Sequence, residues 1–383
     1  MKRIWWMIPA SILLLTACVP SETNETEVIG TEEVETAIIP SMQLDEEFYR
    51  TLLPYKQSAT RGKIINRMNS RYDIEEAEKG LLRLSQNQFS PDDYFFQEGQ
   101  IITDEEITAW LRRYHGEDNP TGLNAEDKRA APAEEAEEGD EPRDNPPPEI
   151  LAHIIEQNYL VKTNEDTIRL GGVSVGLALN SVYYSKNAEG VSYEETISQE
   201  QLEAEGKRMA DEIVNRLRQK EGMADIPITV GLFKQESRST ITAGSYFTYG
   251  VAPGGDTAVA NWNPISEEYV IFPSSNPEEK YREVDTSFKN FKQDVEEYFS
   301  NFTSVIGTGF YQGDSIRKLQ IEIPIQFYGS SEVIGFTQYL TGLVMKHFPE
   351  NIQVQVDLHS VNGAEALILR KANETEPVVH IYE

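Results

Sequence analysis

Residues 173–179 read VSVGLAL and residues 198–217 read SQEQLEAEGKRMADEIVNRL, and together they decide the fold class. The first stretch alternates as a β-strand does. The second opens with Ser-Gln-Glu-Gln, a capping-box pattern that is typical of a helix start. Its apolar residues follow helical spacing, and Gly222 can end the helix. A strand predicted at 226–233 follows, so this part of the chain indicates mixed α and β structure.

The same order of elements returns near the end of the sequence. A strand is predicted at 319–327, and then a helix that Ser330 or Ser331 can cap and that stops at Pro349. Further strands are predicted at 240–251 in the first run and at 352–358, 364–369 and 378–382 in the second, with another helix at 284–302 between the runs. We therefore predict an α+β fold with two similar strand-helix-strand-strand units, a candidate tandem repeat.

Composition divides the rest of the chain into segments. Residues 18–47 hold nine acids and neither Lys nor Arg, so we predict an acidic tether there. Residues 48–122 show helical spacing and are predicted to form a mainly helical segment. Acidic residues and three consecutive prolines mark 123–148 as a linker. The two α+β units then occupy 149–275 and 276–383.

The first seventeen residues have the pattern of a lipoprotein signal peptide. Lys2 and Arg3 precede an apolar run that is shorter than the roughly 20 residues of a spanning helix. The run ends at Leu-Thr-Ala-Cys, and Cys18 is the only cysteine in the chain. This ending resembles the bacterial lipobox, in which the bond between Ala17 and Cys18 is cut and the cysteine carries a diacylglycerol. The alternative is an ordinary signal peptide with an incidental cysteine.

The charge balance limits the classes of partner. With 64 acids against 34 bases the net charge is -30, which argues against nucleic acid and against adhesion to anionic lipid. Membrane attachment would therefore come through the lipid on Cys18, made by the lipoprotein acylation and signal-cleavage machinery. A single cysteine excludes an internal disulfide, and this favours a Gram-positive surface. We predict a lipid anchor on the outer face of the cell membrane.

Familiar catalytic and metal-binding motifs are absent from the sequence. The five histidines form no H-E-x-x-H pair, and no P-loop, G-x-S-x-G turn, dinucleotide fingerprint or calcium loop occurs. His347 precedes Pro349 at a predicted helix end, where a cation favours the helix dipole. His359 and His380 lie in predicted strands. We therefore predict no catalytic residue, no metal, no cofactor and no enzyme activity.

Aromatic residues beside glycine turns form a candidate binding surface. The segment runs from Ala243 to Asp256 and is followed by a tryptophan. Such a surface would suit a peptide, a glycan or a wall component. The alternative is a strand at 240–251 that ends in a hairpin turn. The candidate residues are Tyr183, Tyr184, Tyr246, Phe247, Tyr249 and Trp262.

Motifs spread over most of the chain resemble those of one known family. They read YRTLLPYKQSATRG at 49–62, GLLRLS at 80–85, DYFFQEGQ at 93–100, GLALNSVYY at 176–184, GKRMAD at 206–211, YFSNFT at 298–303, IPI at 323–325 with Tyr328-Gly329, and PVVHIY at 377–382. These stretches resemble the CamS family, lipoproteins of Firmicutes known as sex pheromone cAM373 precursors. The resemblance implies a hydrophobic heptapeptide that is released from the signal peptide and ends just before the lipidated cysteine. Here that position holds Ser11, Ile12, Leu13, Leu14, Leu15, Thr16 and Ala17, and this sequence differs from the family's signalling peptide at several positions. For the mature body the resemblance implies no catalytic residue and no ligand.

Overall fold

The structure, a computed structural model, describes residues 24–29, 35–45, 47–64, 67–128, 146–164, 167–186, 190–298, 304–326 and 329–382. Two α+β units follow one another along the chain, each built on a large β-sheet. The predicted α+β fold is therefore confirmed. The predicted heptapeptide and Cys18 lie outside the described residues.

The first unit contains eleven strands and four helices among the described residues. They are β1 (Asn24–Ile29), β2 (Glu35–Ile39), β3 (Arg50–Thr51), α1 (Arg61–Ile64), α2 (Arg71–Ser85), β4 (Tyr94–Glu98), α3 (Asp104–Trp110), β5 (Leu151–Asn164), β6 (Thr167–Asn180), β7 (Val182–Lys186), β8 (Ser192–Thr196), α4 (Gln199–Arg218), β9 (Ile228–Gln235), β10 (Ser245–Ala252) and β11 (Ala260–Pro264). Ser198 caps α4 as predicted, because its Oγ accepts a hydrogen bond from the Gln201 N–H at 3.2 Å.

The second unit contains six strands and two α-helices in the part of the chain that is described. They are β12 (Glu267–Phe272), α5 (Arg282–Tyr298), β13 (Ile306–Gln312), β14 (Ser315–Pro324), α6 (Ser330–His347), β15 (Gln353–Ser360), β16 (Gly363–Arg370) and β17 (Val378–Ile381). Helix α6 begins at Ser330, but its N-cap residue is Gly329 and no side chain caps it, so the predicted capping by Ser330 or Ser331 is wrong. The strands predicted at 352–358, 364–369 and 378–382 are present within two residues of the predicted bounds.

The two sheets share a central topology. The first runs β11-β10-β9-β6-β5-β4-β3, with β1 and β2 added beside the start of β6, and the second runs β12-β13-β14-β15-β16-β17. In each, an antiparallel strand pair leads through a crossover helix to a parallel strand, and two antiparallel strands follow. The crossover helix is α4 in the first unit and α6 in the second. A duplication of sequence stays a prediction.

The sheets differ in how their faces are covered. The first sheet has apolar side chains on both faces, because α3 and α4 cover one face and α2 covers the other. Long runs of β5 and β6 are therefore buried at every residue. In the second sheet α5 and α6 pack on one face, and the strands alternate between buried and half-exposed residues. No helix among the described residues is long and apolar enough to cross a lipid bilayer.

The acidic stretch 18–47 holds more order than a tether. Strands β1 and β2 lie within it and pair with each other, and β1 also pairs in parallel with β6. Ala37 and Ile39 are buried in a small cluster with Leu52, Phe95, Leu160 and Ile168. The composition of the stretch alone did not reveal this, because the apolar partners come from distant parts of the chain.

Residues 48–122, predicted to form a mainly helical segment, contain the three helices α1 to α3 and two short strands. Strand β4 pairs antiparallel with β5, and β3 pairs with β4. The segment therefore completes the first sheet and shares its core. Within the predicted linker, Asn124 is buried and its amide donates to the carbonyls of Leu111 and Leu151, each at 3.0 Å; residues 129–145 lie outside the described residues.

Candidate functional site

Tyr246 lies in the core and not on a surface. Its side chain is completely buried beneath α2, and its hydroxyl donates to the Ala77 carbonyl at 2.7 Å. The Tyr246 side chain occupies space left by three glycines: a Cβ at Gly80 or Gly231 would meet its ring at 2.8 or 2.7 Å, and a Cβ at Gly176 would meet its hydroxyl at 2.5 Å. Tyr246 is therefore not part of a binding surface, because its side chain lies in the interior.

The neighbouring aromatics on β10 and β11 face different ways. The register of β10 against β9 shifts between Tyr246 and Thr248. Phe247 consequently packs on the α4 side of the sheet together with Trp262, whereas Tyr249 packs on the α2 side. These three residues therefore do not form one continuous aromatic face.

The two tyrosines of β7 are each held by an arginine. Arg113 donates to the Tyr183 hydroxyl at 3.1 Å. The Tyr184 hydroxyl accepts from the backbone N–H of Arg238, whose guanidinium lies 4.2 Å from the centre of the Tyr184 ring. Adjacent strand residues point to opposite faces, so the two tyrosines lie on different sides. The six predicted aromatics are not brought together.

A cleft nevertheless lies beside the predicted segment. It has a volume of about 480 Å³ and is lined by Gln88, Pro227, Val251, Pro253, Gly254, Ala260, Asn261 and Asn263. Residues of the segment 243–256 thus line it with aliphatic groups instead of aromatic ones. Asparagines and prolines in turns carry no motif, so sequence reasoning missed the cleft.

The chemistry of this cleft is polar and uncharged. Asn261 has a positive φ of 52°, and the Asn263 side chain donates to its carbonyl at 2.8 Å. Asn and Asp tolerate that backbone region better than most residues do. Side-chain amides stand beside proline and valine, and no ionisable residue lines the cleft. Such a lining supports binding of an uncharged polar group and offers no general acid or base.

A buried charge cluster joins the two units. Arg83 of α2 donates to Glu76 at 2.6 Å and to both carboxylate oxygens of Glu267 at 3.0 and 2.6 Å. Its guanidinium lies 4.6 Å from the centre of the Phe310 ring. Burial raises the pKa of Glu76 despite the nearby Arg83, and Tyr269 also donates to this carboxylate. Every group in the cluster is engaged within the fold, which indicates a structural role.

Two further titratable groups are buried in β5. Burial raises the pKa of Glu156 to about 7, although its carboxylate accepts the backbone N–H groups of Ile101 and Ile102 at 2.9 and 2.8 Å. Burial lowers the pKa of His153 to about 3, and the charge of Arg67 acts in the same direction. Neither residue lines the cleft, and both pKa shifts have burial as their largest cause.

His347, His359 and His380 lie in a helix end and in strands, as the sequence predicts. His347 lies in the last turn of α6, where its Nε2 lies 2.7 Å from an Asp294 oxygen of α5. His359 lies in β15 and His380 in β17. Within the described part of the chain, no group of three His, Cys, Asp or Glu residues is placed to hold a metal ion.

Comparison with known proteins adds a family match and two similar solved structures. The family model described as CamS sex pheromone cAM373 precursor matches residues 55–376. A sex pheromone precursor from Lactobacillus salivarius subsp. salivarius UCC118 is 27% identical with a TM-score of 0.80, over 90% of this chain and 98% of that one. The C-terminal domain of the sex pheromone staph-cAM373 precursor from Staphylococcus aureus is 28% identical with a TM-score of 0.69, over 83% and 99% of the two chains. Among curated proteins, none matches the chain.

Proposed function

Because the chain belongs to the CamS sex pheromone cAM373 precursor family, we propose that it is a membrane-anchored lipoprotein whose cleaved signal peptide yields a hydrophobic heptapeptide. One observation carries the proposal: the apolar run Ser11–Ala17 ends directly before the chain's single cysteine in a lipobox-like setting. CamS is not a known enzyme family, and we assign no reaction to the body.

Anchoring follows from the chemistry of Cys18. A diacylglyceryl group supplies two acyl chains, which hold a protein stably where one chain does not. The body needs such an anchor, because the full chain has a net charge of -30, its two cations Lys2 and Arg3 leave with the signal peptide, and anionic lipid repels the acidic remainder. Only five residues, 19–23, separate Cys18 from β1, and the six residue steps from Cys18 to Asn24 span at most about 20 Å. The first sheet therefore stays close to the outer face of the membrane.

Release of the peptide requires two cuts. The first separates Ala17 from Cys18 when the signal peptide is removed, and the second separates Ala10 from Ser11. The second cut removes the part of the signal peptide that holds the cationic residues Lys2 and Arg3. The product SILLLTA therefore carries no charged side chain.

The test combines lipid labelling with mass spectrometry. Cells that make the full chain are fed a palmitate analogue, and the Cys18→Ala variant is compared with the natural sequence. Label on the natural chain and none on the variant is expected. Persistent label on the variant would exclude Cys18 as the anchor. The culture medium is then searched for SILLLTA, and its absence while labelled lipoprotein accumulates would contradict release of the peptide.

The cleft between β10, β11 and the end of α2 favours a second function, that of a cell-envelope binding module. Its amide-lined, uncharged surface suits a glycan or another uncharged wall component better than a charged one. Thermal shift with soluble wall glycan fragments tests this, because a ligand at 100 times its Kd adds roughly 2.7 kcal/mol of stability. Asn263→Ala should reduce the shift, and an equal shift in both proteins would place the ligand elsewhere.

A further inference from the structure

Strand β17 is an open edge of the second sheet. It pairs with β16 over four residues without a register shift, from Val378 opposite Leu369 to Ile381 opposite Ala366. Among the described residues, no strand pairs with its outer side. The strand contains no Pro, Lys, Arg, Asp or Glu, which are the residues that usually protect an exposed edge.

Three other edge strands, at the ends of the two large sheets, are protected in ordinary ways. Strand β11 ends in Pro264 and contains Asn261 with its positive φ, and its pairing with β10 has a register shift. Strand β3 is two residues long. Strand β12 lies against the first unit through the pairing of Glu267 with Arg83. Strand β17 has no proline, no register shift against β16 and no positive φ, and it is longer than β3.

The free hydrogen-bonding groups of β17 can be assigned. The Tyr382 N–H donates to the Glu365 carbonyl at 3.0 Å, so the pair Tyr382–Glu365 is a hydrogen-bonded pair of the ladder. Such pairs alternate with pairs whose N–H and C=O groups point outward. The backbone groups of Val379 and Ile381 therefore face away from β16 and are available to an added strand.

Apolar side chains are exposed on both faces beside this edge. Val378 is 67% exposed on the open face of the sheet, next to the half-buried Leu369. Val379 is 41% exposed on the opposite face, on which Ile381 packs against the core. A strand added here would contact apolar groups on both sides, so a continuous apolar run fits better than an alternating one.

Charge favours a peptide over a second copy of the chain. Two copies carry a net charge of -30 each and repel. Glu374 and Glu376 are exposed just before the strand, which disfavours an acidic partner in the same place. A short uncharged peptide avoids both penalties.

We propose that the β17 edge binds an extended, uncharged peptide with a continuous apolar run by β-strand addition, in which Val379 and Ile381 supply the backbone hydrogen bonds. This surface is separate from the cleft of the first unit. The proposal does not depend on processing of the signal peptide.

The probe is a fluorescently labelled synthetic peptide SILLLTA, whose ILLL run meets these requirements, with SIDLDTA as the charged control. The mature chain should bind the first peptide and bind the second at least about tenfold more weakly. Val379→Pro removes one outward N–H and leaves the ladder to β16 intact, so it should weaken binding about tenfold, which corresponds to about 1.4 kcal/mol. Val379→Ala is the matched control, because it shortens the same side chain and keeps the N–H.

Several outcomes would overturn the proposal. These are no binding of SILLLTA, equal binding of both peptides, or equal affinity in the Pro and Ala variants. Sedimentation of the unliganded chain at several concentrations provides a further check. Self-association that Val379→Pro abolishes, without any peptide binding, would assign the edge to a second copy instead. Circular dichroism of both variants tests whether they remain folded.

Discussion

The Arg83 guanidinium makes a bidentate ion pair with Glu267 across the junction of the two units, with N–O distances of 3.0 and 2.6 Å. The Glu267 side chain is only 4% exposed, and the second partner of Arg83, Glu76, is 6% exposed. Phe310 of the second sheet covers the guanidinium. The contact between α2 and β12 therefore depends on a desolvated charge cluster.

Replacing Arg83 with Met should destabilise the protein by about 3–5 kcal/mol, because two buried carboxylates would lose their cation. Urea unfolding measures the change. The matched control is Lys79→Met on the same helix, since the ion pair of Lys79 with Glu75 is mostly exposed and should contribute less than about 1 kcal/mol. Equal losses in the two variants would show that the junction does not depend on the cluster.

Replacing Tyr246 with Ala should cost about 3–5 kcal/mol, because a fully buried aromatic ring would leave a cavity under α2. Tyr72→Ala is the control, since Tyr72 is 57% exposed on the same helix that covers Tyr246. Thermal unfolding compares them. A change below about 1 kcal/mol in the Tyr246 variant would contradict its place in the core and restore it as a surface residue.

The strongly periodic elements could be predicted because their signals are local. Helix α4 carries its own cap at Ser198 and its own apolar stripe, and α6 begins within two residues of its predicted start. Strand β5 was missed because polar residues such as His153, Glu156 and Asn158 interrupt its apolar pattern, yet all three are buried between two covered faces. Burial of that kind depends on α2 and α3, which the sequence of β5 does not show.

The candidate site was harder to predict than the fold. Alternation in the segment around Tyr246 revealed a strand, but the face on which each aromatic lies depends on a register shift beside that residue. A shift of one residue moves side chains to the opposite face. The covering of Tyr246 by α2 and the cleft beside Asn263 both arise from packing between segments that are distant in sequence.

Replacing Arg370 with Met should destabilise the second unit by roughly 2–4 kcal/mol. The buried guanidinium donates to the carbonyls of Phe348 and Pro349 at 3.0 and 2.6 Å, just beyond the end of α6, and buried carbonyls without a donor are costly. Lys371→Met is the neighbouring control, because Lys371 is exposed and pairs with Asp45 at the surface. Hydrogen exchange of α6 should rise in the Arg370 variant alone; unchanged exchange would contradict this capping role.

The buried His153 and Glu156 should give opposite dependences of stability on pH. His153 has a folded-state pKa of about 3 against 6.5 in the unfolded chain. The free energy of unfolding therefore falls as the pH falls from 6.5 toward 3. Glu156 has a folded-state pKa of about 7 against 4.5, so stability falls as the pH rises from 4.5 to 7. Between pH 4.5 and 6.5 the two effects oppose each other. Relative to the natural chain, Glu156→Gln should therefore make stability rise more steeply with pH in urea titrations over this range, by at most about 1.4 kcal/mol per pH unit. His153→Leu should shift the slope by a similar amount in the opposite direction, and parallel curves for all three proteins would show that neither group is perturbed as stated.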